Sequence, residues 1–365
     1  MARVFAFVSN RGGVGKSSLS SQLAVALAEA SPNTHVLLLD MSIHADASRI
    51  LLGGAREPYK HTPGVRTRGD EVLSSIDPSK IASGFIAAAI AAVAPAARAP
   101  ATTSYFGGWR GSSAPAQASQ SNAFEWTKHC VEPAALNPEG LAPANLHVAA
   151  GGPTLHGDHE FHPTINALKA AFASMRDVVV LVDTDAELNE RGASLAGIAA
   201  AQKLLVVLSS SWYDMGRLID DKANGLFAAL KWMRTVAPDC APKIHKLIFN
   251  GLQKRTNAAS ALTGVPNALP FTPPSSTHDA VAEIAAYVLQ HSADDADVRA
   301  SFADADTLAN VSAFVARYVT GMQTVPESTW QQILYVGCGV TTSPAGDPAI
   351  AAAQNVAAIA NSTFF

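Results

Sequence analysis

Ser9-Asn10-Arg11-Gly12-Gly13-Val14-Gly15-Lys16-Ser17-Ser18 follows directly on the apolar run Val4–Val8 and leads into a helix-type stretch, Leu19 to Ala30. Glycines let a backbone curl until successive N–H groups point inward, and the helix that follows adds the partial positive charge of its first turn. Strand, loop and helix together form a cradle for an anion. Lys16 is spaced to reach the β- and γ-phosphates of a nucleoside triphosphate, and the Ser17 hydroxyl to ligate Mg²⁺. Arg11, Gly12, Gly13, Val14, Gly15, Lys16, Ser17 and Ser18 are therefore the candidate nucleotide-binding residues.

Working outward, strand-length runs rich in β-branched residues recur at Val4–Val8, His35–Leu39, Leu146–Ala149, Asp177–Val182, Leu204–Leu208 and Lys246–Phe249, with helix-length segments between most of them. Alternation of this kind implies right-handed crossovers and a parallel sheet covered on both faces, with ligands at the carboxyl edge. Two stretches break the rhythm. The segment Gly53 to Pro143 is long for one connection and is read as an insertion at about 57–143, flexible at about 94–122, where Ala, Pro, Ser, Gly and Thr dominate. The segment 321–365 is read as an extension that packs on the 1–320 domain or docks a partner.

The 365 residues are 48% apolar and 15% charged, which excludes a disordered chain, a collagen and a coiled coil. Lys plus Arg is 26 against 30 Asp plus Glu, a net charge of −4, so any nucleic-acid contact has to use a local patch. Cys130, Cys240 and Cys338 lack the paired spacing of a thiolate metal site and read as free thiols of a cytoplasmic protein. His156, His159 and His162 stand three apart but have no supporting motif, and read as solvated. No run is long enough to span a bilayer.

Asn10 stands where the standard phosphate loop has its first Gly. A basic residue followed by Gly12-Gly13-Val14-Gly15-Lys16-Ser17 resembles the deviant Walker A loop of the ParA/MinD family of P-loop ATPases. The resemblance implies an α/β fold, a twisted and mainly parallel sheet with helices on both faces (P-loop NTPase), with ATP and Mg²⁺ as cofactors. In that family the early basic residue reaches the partner subunit's nucleotide, and here it would be Arg11, with a solvated surface Arg as the other reading. Asp40 matches a strand-end acid that orients and deprotonates the attacking water, or else serves as a helix cap, although Asp46 is the expected cap. Asp183 ends a buried run like the Walker B motif, which holds Mg²⁺ through water. Where the family continues with Pro, this chain has Asp185. Asn250 falls where the family reads adenine; the alternative is a turn Asn before Gly251.

The resemblance also implies a slow, partner-stimulated ATP hydrolase that forms a homodimer in its ATP state and positions cargo. The catalytic set would be Asp40, Lys16 and Arg11, with Ser17 and Asp183 for the metal. The alternative is a nucleotide-binding regulatory or scaffold protein with little hydrolysis. For DNA, the stretch Arg217 to Arg255 carries eight basic residues, among them Lys231, Arg234, Lys254 and Arg255. A phosphate-contacting surface and a solvated helix face are both compatible with it. The final segment lacks Lys and Arg, so membrane attachment is not expected. An adaptor protein and nucleoid DNA are the expected partners.

Overall fold

A computed structural model describes residues 1–9, 12–53, 68–93, 124–136, 142–156, 161–185, 192–209, 225–240, 242–252, 275–302 and 333–337. Seven strands form one sheet: β1 Arg3–Val8, β2 His35–Asp40, β3 Leu146–Ala149, β4 Val178–Asp183, β5 Lys203–Leu208, β6 Lys243–Leu252 and β7 Ile333–Gly337. Their order is β3-β2-β4-β1-β5-β6-β7, and every pair is parallel.

The sequence explains why these runs pair in this way. A central parallel strand needs apolar side chains on both faces, and all six residues of β4 are buried. Along β1, Val4, Ala6 and Val8 enter one apolar layer while Phe5 and Phe7 enter the other. Helix α1 (Lys16–Ala30) and helix α2 (Asp46–Gly53) cover the Phe5 face through Leu19, Leu23, Leu27, Leu51 and Leu52. The opposite face is covered by α4 (Ala82–Val93), α6 (Phe161–Ser174), α7 (Ala193–Ala200) and α8 (Leu226–Val236).

From β1 the chain runs to β2 and then β3 on one side, and from β4 to β5 and then β6 on the other. The carboxyl ends of β1 and β4 thus flank the crevice where an open α/β sheet takes its ligand.

Two features lie outside the sequence expectation. β7 joins the sheet beside β6, with Leu247 to Asn250 opposite Ile333 to Val336, so residues 333–337 of the C-terminal extension supply an edge strand. The described parts of the insertion, α5 (Pro133–Leu136) among them, are docked on the β3 side. Ile81 bridges Ala150, and Val131 and Val148 exchange two backbone hydrogen bonds of 2.8 Å. Next to this bridge the rings of His35 and His147 touch at 3.0 Å between Nδ1 and Nε2, with the Trp126 ring edge-on to both. Helix α3 (Arg68–Ser75) lies so close to α2 that a Cβ at Gly69 would fall 2.6 Å from the Arg49 carbonyl oxygen. Residues 94–122, expected to be flexible, lie outside the described residues. No described helix is long and apolar enough to cross a membrane.

Candidate functional site

The loop between β1 and α1 uses its glycines as the sequence requires. Gly13 and Gly15 have φ of 81° and 84°, a left-handed conformation that side-chain-bearing residues rarely adopt. Gly15 caps α1, and the space a Cβ would take there is filled by the Asn250 amide. Asn250, in the last part of β6, donates from Nδ2 to the Val14 carbonyl at 2.7 Å. The residue assigned to base reading thus also braces the phosphate loop. Its second N–H and its Oδ1 remain as further hydrogen-bonding groups.

Lys16 begins α1 and is buried, 7% exposed. Burial pushes the pKa of its ammonium below the ordinary lysine value, opposed by attraction to Asp183 and then Asp185. Ser17, the next residue, is half-buried at the mouth of the same turn.

Asp40 and Asp183 end adjacent strands in register, and both are fully buried. Asp40 is held by three donors: Ser42 N–H at 3.0 Å to Oδ1, and Ser48 N–H at 3.0 Å and hydroxyl at 2.6 Å to Oδ2. A carboxylate offers about four lone-pair positions, so three donors leave one. Burial raises its pKa to about 6 against the pull of those donors. Ser48 lies in α2, so the carboxylate that receives an early N–H of this helix is Asp40. Asp46, the expected cap, pairs with Arg49 at 3.2 Å instead. Gly151, just after β3, closes the pocket: its N–H donates to Ser48 Oγ at 3.0 Å, and a Cβ there would lie 2.8 Å from Asp40 Oδ1.

Asp183 differs. Neither of its carboxylate oxygens has a hydrogen-bond partner of good geometry. Burial first, then the neighbouring Asp40, pushes its pKa up to about 8, while Ser17, Lys16 and Ser20 pull in the opposite direction. A buried carboxylate without donors is costly unless a cation completes it. Asp183 beside the Ser17 hydroxyl therefore fits Mg²⁺, whose ligands are hard oxygens. Next along the chain, Thr184 donates to the Phe7 carbonyl at 2.6 Å, locking the end of β4 to β1.

Arg11, Lys254 and Arg255 lie outside the described residues, as does His159. Arg234 is mostly buried, and its guanidinium donates to Ser301 Oγ at 2.9 Å and the Asp297 carbonyl at 2.8 Å. Lys231 is exposed but pairs with Asp297 at 2.9 Å. Asp297 thus lies against α8 and engages both of its basic residues.

Glycine loop, buried lysine and strand-end carboxylates define a nucleotide-binding α/β domain of the phosphate-loop class. The chain matches the CobQ/CobB/MinD/ParA nucleotide binding domain over residues 5–313, and it belongs to that family. Among solved structures, the pNOB8 ParA is 12% identical, covers 99% of this chain and 97% of its own, and superposes with a TM-score of 0.51, which shows a shared fold. Cobyrinic acid a,c-diamide synthase from Mycobacterium smegmatis is 15% identical over 89% of this chain and 98% of its own, with a TM-score of 0.43. A plasmid partition protein from Borrelia burgdorferi is 14% identical over 70% and 80%, with a TM-score of 0.40. No curated protein sequence matches the chain significantly.

Proposed function

We propose that this chain is an ATP-dependent dimerising ATPase of the ParA/MinD type, which positions or segregates cargo through a cycle of ATP binding and slow hydrolysis. The observation that carries this reading is the pairing of Gly13 and Gly15 in left-handed conformation in the loop after β1 with the buried carboxylate of Asp183, which has no hydrogen-bond partner of good geometry, at the end of the neighbouring strand. In the working site the loop amides and Lys16 hold the phosphates. Ser17 and, through water, Asp183 would hold Mg²⁺, which would supply charge neutralisation at the phosphates. The remaining acceptor position of Asp40 orients the attacking water and accepts its proton. Arg11 completes the partner subunit's site as a permanently charged fork for phosphate.

Nucleoid DNA is the proposed surface, with phosphate contacts from the basic stretch, Lys254 and Arg255 foremost and Lys231 once released from Asp297. Arg234 is spoken for by Ser301 and Asp297. An adaptor protein that accelerates hydrolysis is the proposed partner, in the cytoplasm.

Mass measurement in ATP, ADP and no nucleotide tests dimerisation, and duplex affinity titrated against salt tests the surface. A monomer in all three states, together with no calorimetric heat from Mg²⁺-ATP, overturns the reading. One observation favours a second reading, a nucleotide-binding scaffold with little turnover: three donors already occupy Asp40. Single-turnover hydrolysis by wild type and Asp40→Ala separates the two, since a scaffold binds ATP and shows no Asp40-dependent phosphate release.

A further inference from the structure

Downstream of the two strand-end carboxylates, the chain segments leaving β2 and β4 are stitched together by side chains that the site has not yet used. The Asp185 N–H donates to the Ser194 hydroxyl at 3.0 Å, and that hydroxyl donates its own proton to the Met41 carbonyl at 3.0 Å. The Ile43 N–H in turn donates to Asp185 Oδ2 at 3.3 Å. Ser194 sits near the start of α7, a helix buried along its whole length, and Met41 packs under Gly197 of the same helix. The anchor is therefore rigid.

What it holds is the loop 41–45. This loop carries Ser42, whose N–H fixes Asp40 Oδ1 and whose carbonyl accepts from Ala45 and Gly152. It then turns through Ala45 at φ 55°, a left-handed conformation that a non-glycine residue keeps only where its surroundings enforce it. A loop in such a conformation needs an external tether, and Asp185 and Ser194 provide one from two sides.

We propose that Asp185 and Ser194 act as a positioning clamp: they lock the loop after β2 onto the end of β4 and thereby hold Asp40 in place for the hydrolytic step. The clamp deepens the ATPase reading and rests on it for the rate effect.

The test uses the full chain with Asp185→Ala, Asp185→Asn and Ser194→Ala. In the nucleotide-free protein, Asp185→Ala is expected to speed amide exchange at Ile43 by about 10-fold or more, because the bond that protects it is gone. Asp185→Asn keeps an oxygen acceptor and restores protection to within about 3-fold. In single turnover, Asp185→Ala slows hydrolysis of bound ATP by about 10-fold while the ATP dissociation constant stays within about 2-fold, and Asp185→Asn recovers the rate. Unchanged exchange at Ile43 in Asp185→Ala overturns the clamp, and so does an Asn variant as impaired as the Ala variant. If Asp185→Ala fails to fold, Ser194→Ala decides, with faster exchange expected across 41–45 and unchanged exchange overturning the proposal. Wild type that releases no phosphate sinks the ATPase reading and the rate effect with it. The exchange result still decides the tether, so the two failures are distinguishable.

Discussion

Asp40 and Asp183 stand side by side at the ends of β2 and β4, equally buried and differently served. One carboxylate is gripped by a serine side chain and two backbone amides; the other has no donor of good geometry. The contrast separates two jobs that acidic residues do in the interior of a protein. A carboxylate surrounded by its own donors is part of the framework. One left bare at the same depth raises the energy of the empty protein, and that energy is returned when a cation arrives. The pKa values follow the same division, about 6 for Asp40 and about 8 for Asp183.

The sharpest way to break this contrast is to remove the charge that faces the bare carboxylate. Lys16→Ala is expected to lower Mg²⁺-ATP affinity by ~10³-fold, on the order of 4 kcal/mol, because it deletes a desolvated cation from the phosphate cradle. Calorimetry checks it, and a loss below tenfold would mean that the loop binds without its lysine. Next in size, Asp40→Ala strands three buried donors and should destabilise the fold by roughly 3 kcal/mol, read by denaturant midpoint. Ser48→Ala removes one of those donors and should cost about 1–2 kcal/mol.

The smallest expected effect concerns pH. Both carboxyl groups hold their protons to higher pH when folded than at their ordinary value of 3.8. Their contribution to stability is therefore complete below about pH 4 and is lost as pH rises through about 6 and then about 8. The melting temperature of the nucleotide-free protein should fall between pH 6 and 8.5. Asp183→Asn should flatten the upper part of that fall. A profile that rises with pH in this window would contradict the contrast.

The phosphate loop was legible in the sequence because its chemistry is local: glycines, lysine and serine act within ten residues of one another. Six strands were legible for a similar reason, since a buried parallel strand advertises itself as an apolar run. β7 was not, because Ile333 to Gly337 is short, follows a long stretch of weak pattern, and is defined by β6, which lies some eighty residues upstream. The donors that satisfy Asp40 were equally hidden. Ser42 and Ser48 are common residue types, and Gly151, whose N–H fixes the Ser48 hydroxyl, joins them only through the arrival of β3 beside β2. Arg234 looked like surface charge until Asp297 and Ser301 folded against it.

The backbone exchange between Val131 and Val148 has a consequence of its own. A parallel sheet ends in a row of open amides and carbonyls, ready to recruit a strand from any neighbouring molecule, and the returning leg of the insertion occupies that row on the β3 flank. Trimming the chain between the second and third strands to obtain a smaller protein would strip this cover, and the product should polymerise flank to flank at concentrations where the intact chain remains dispersed.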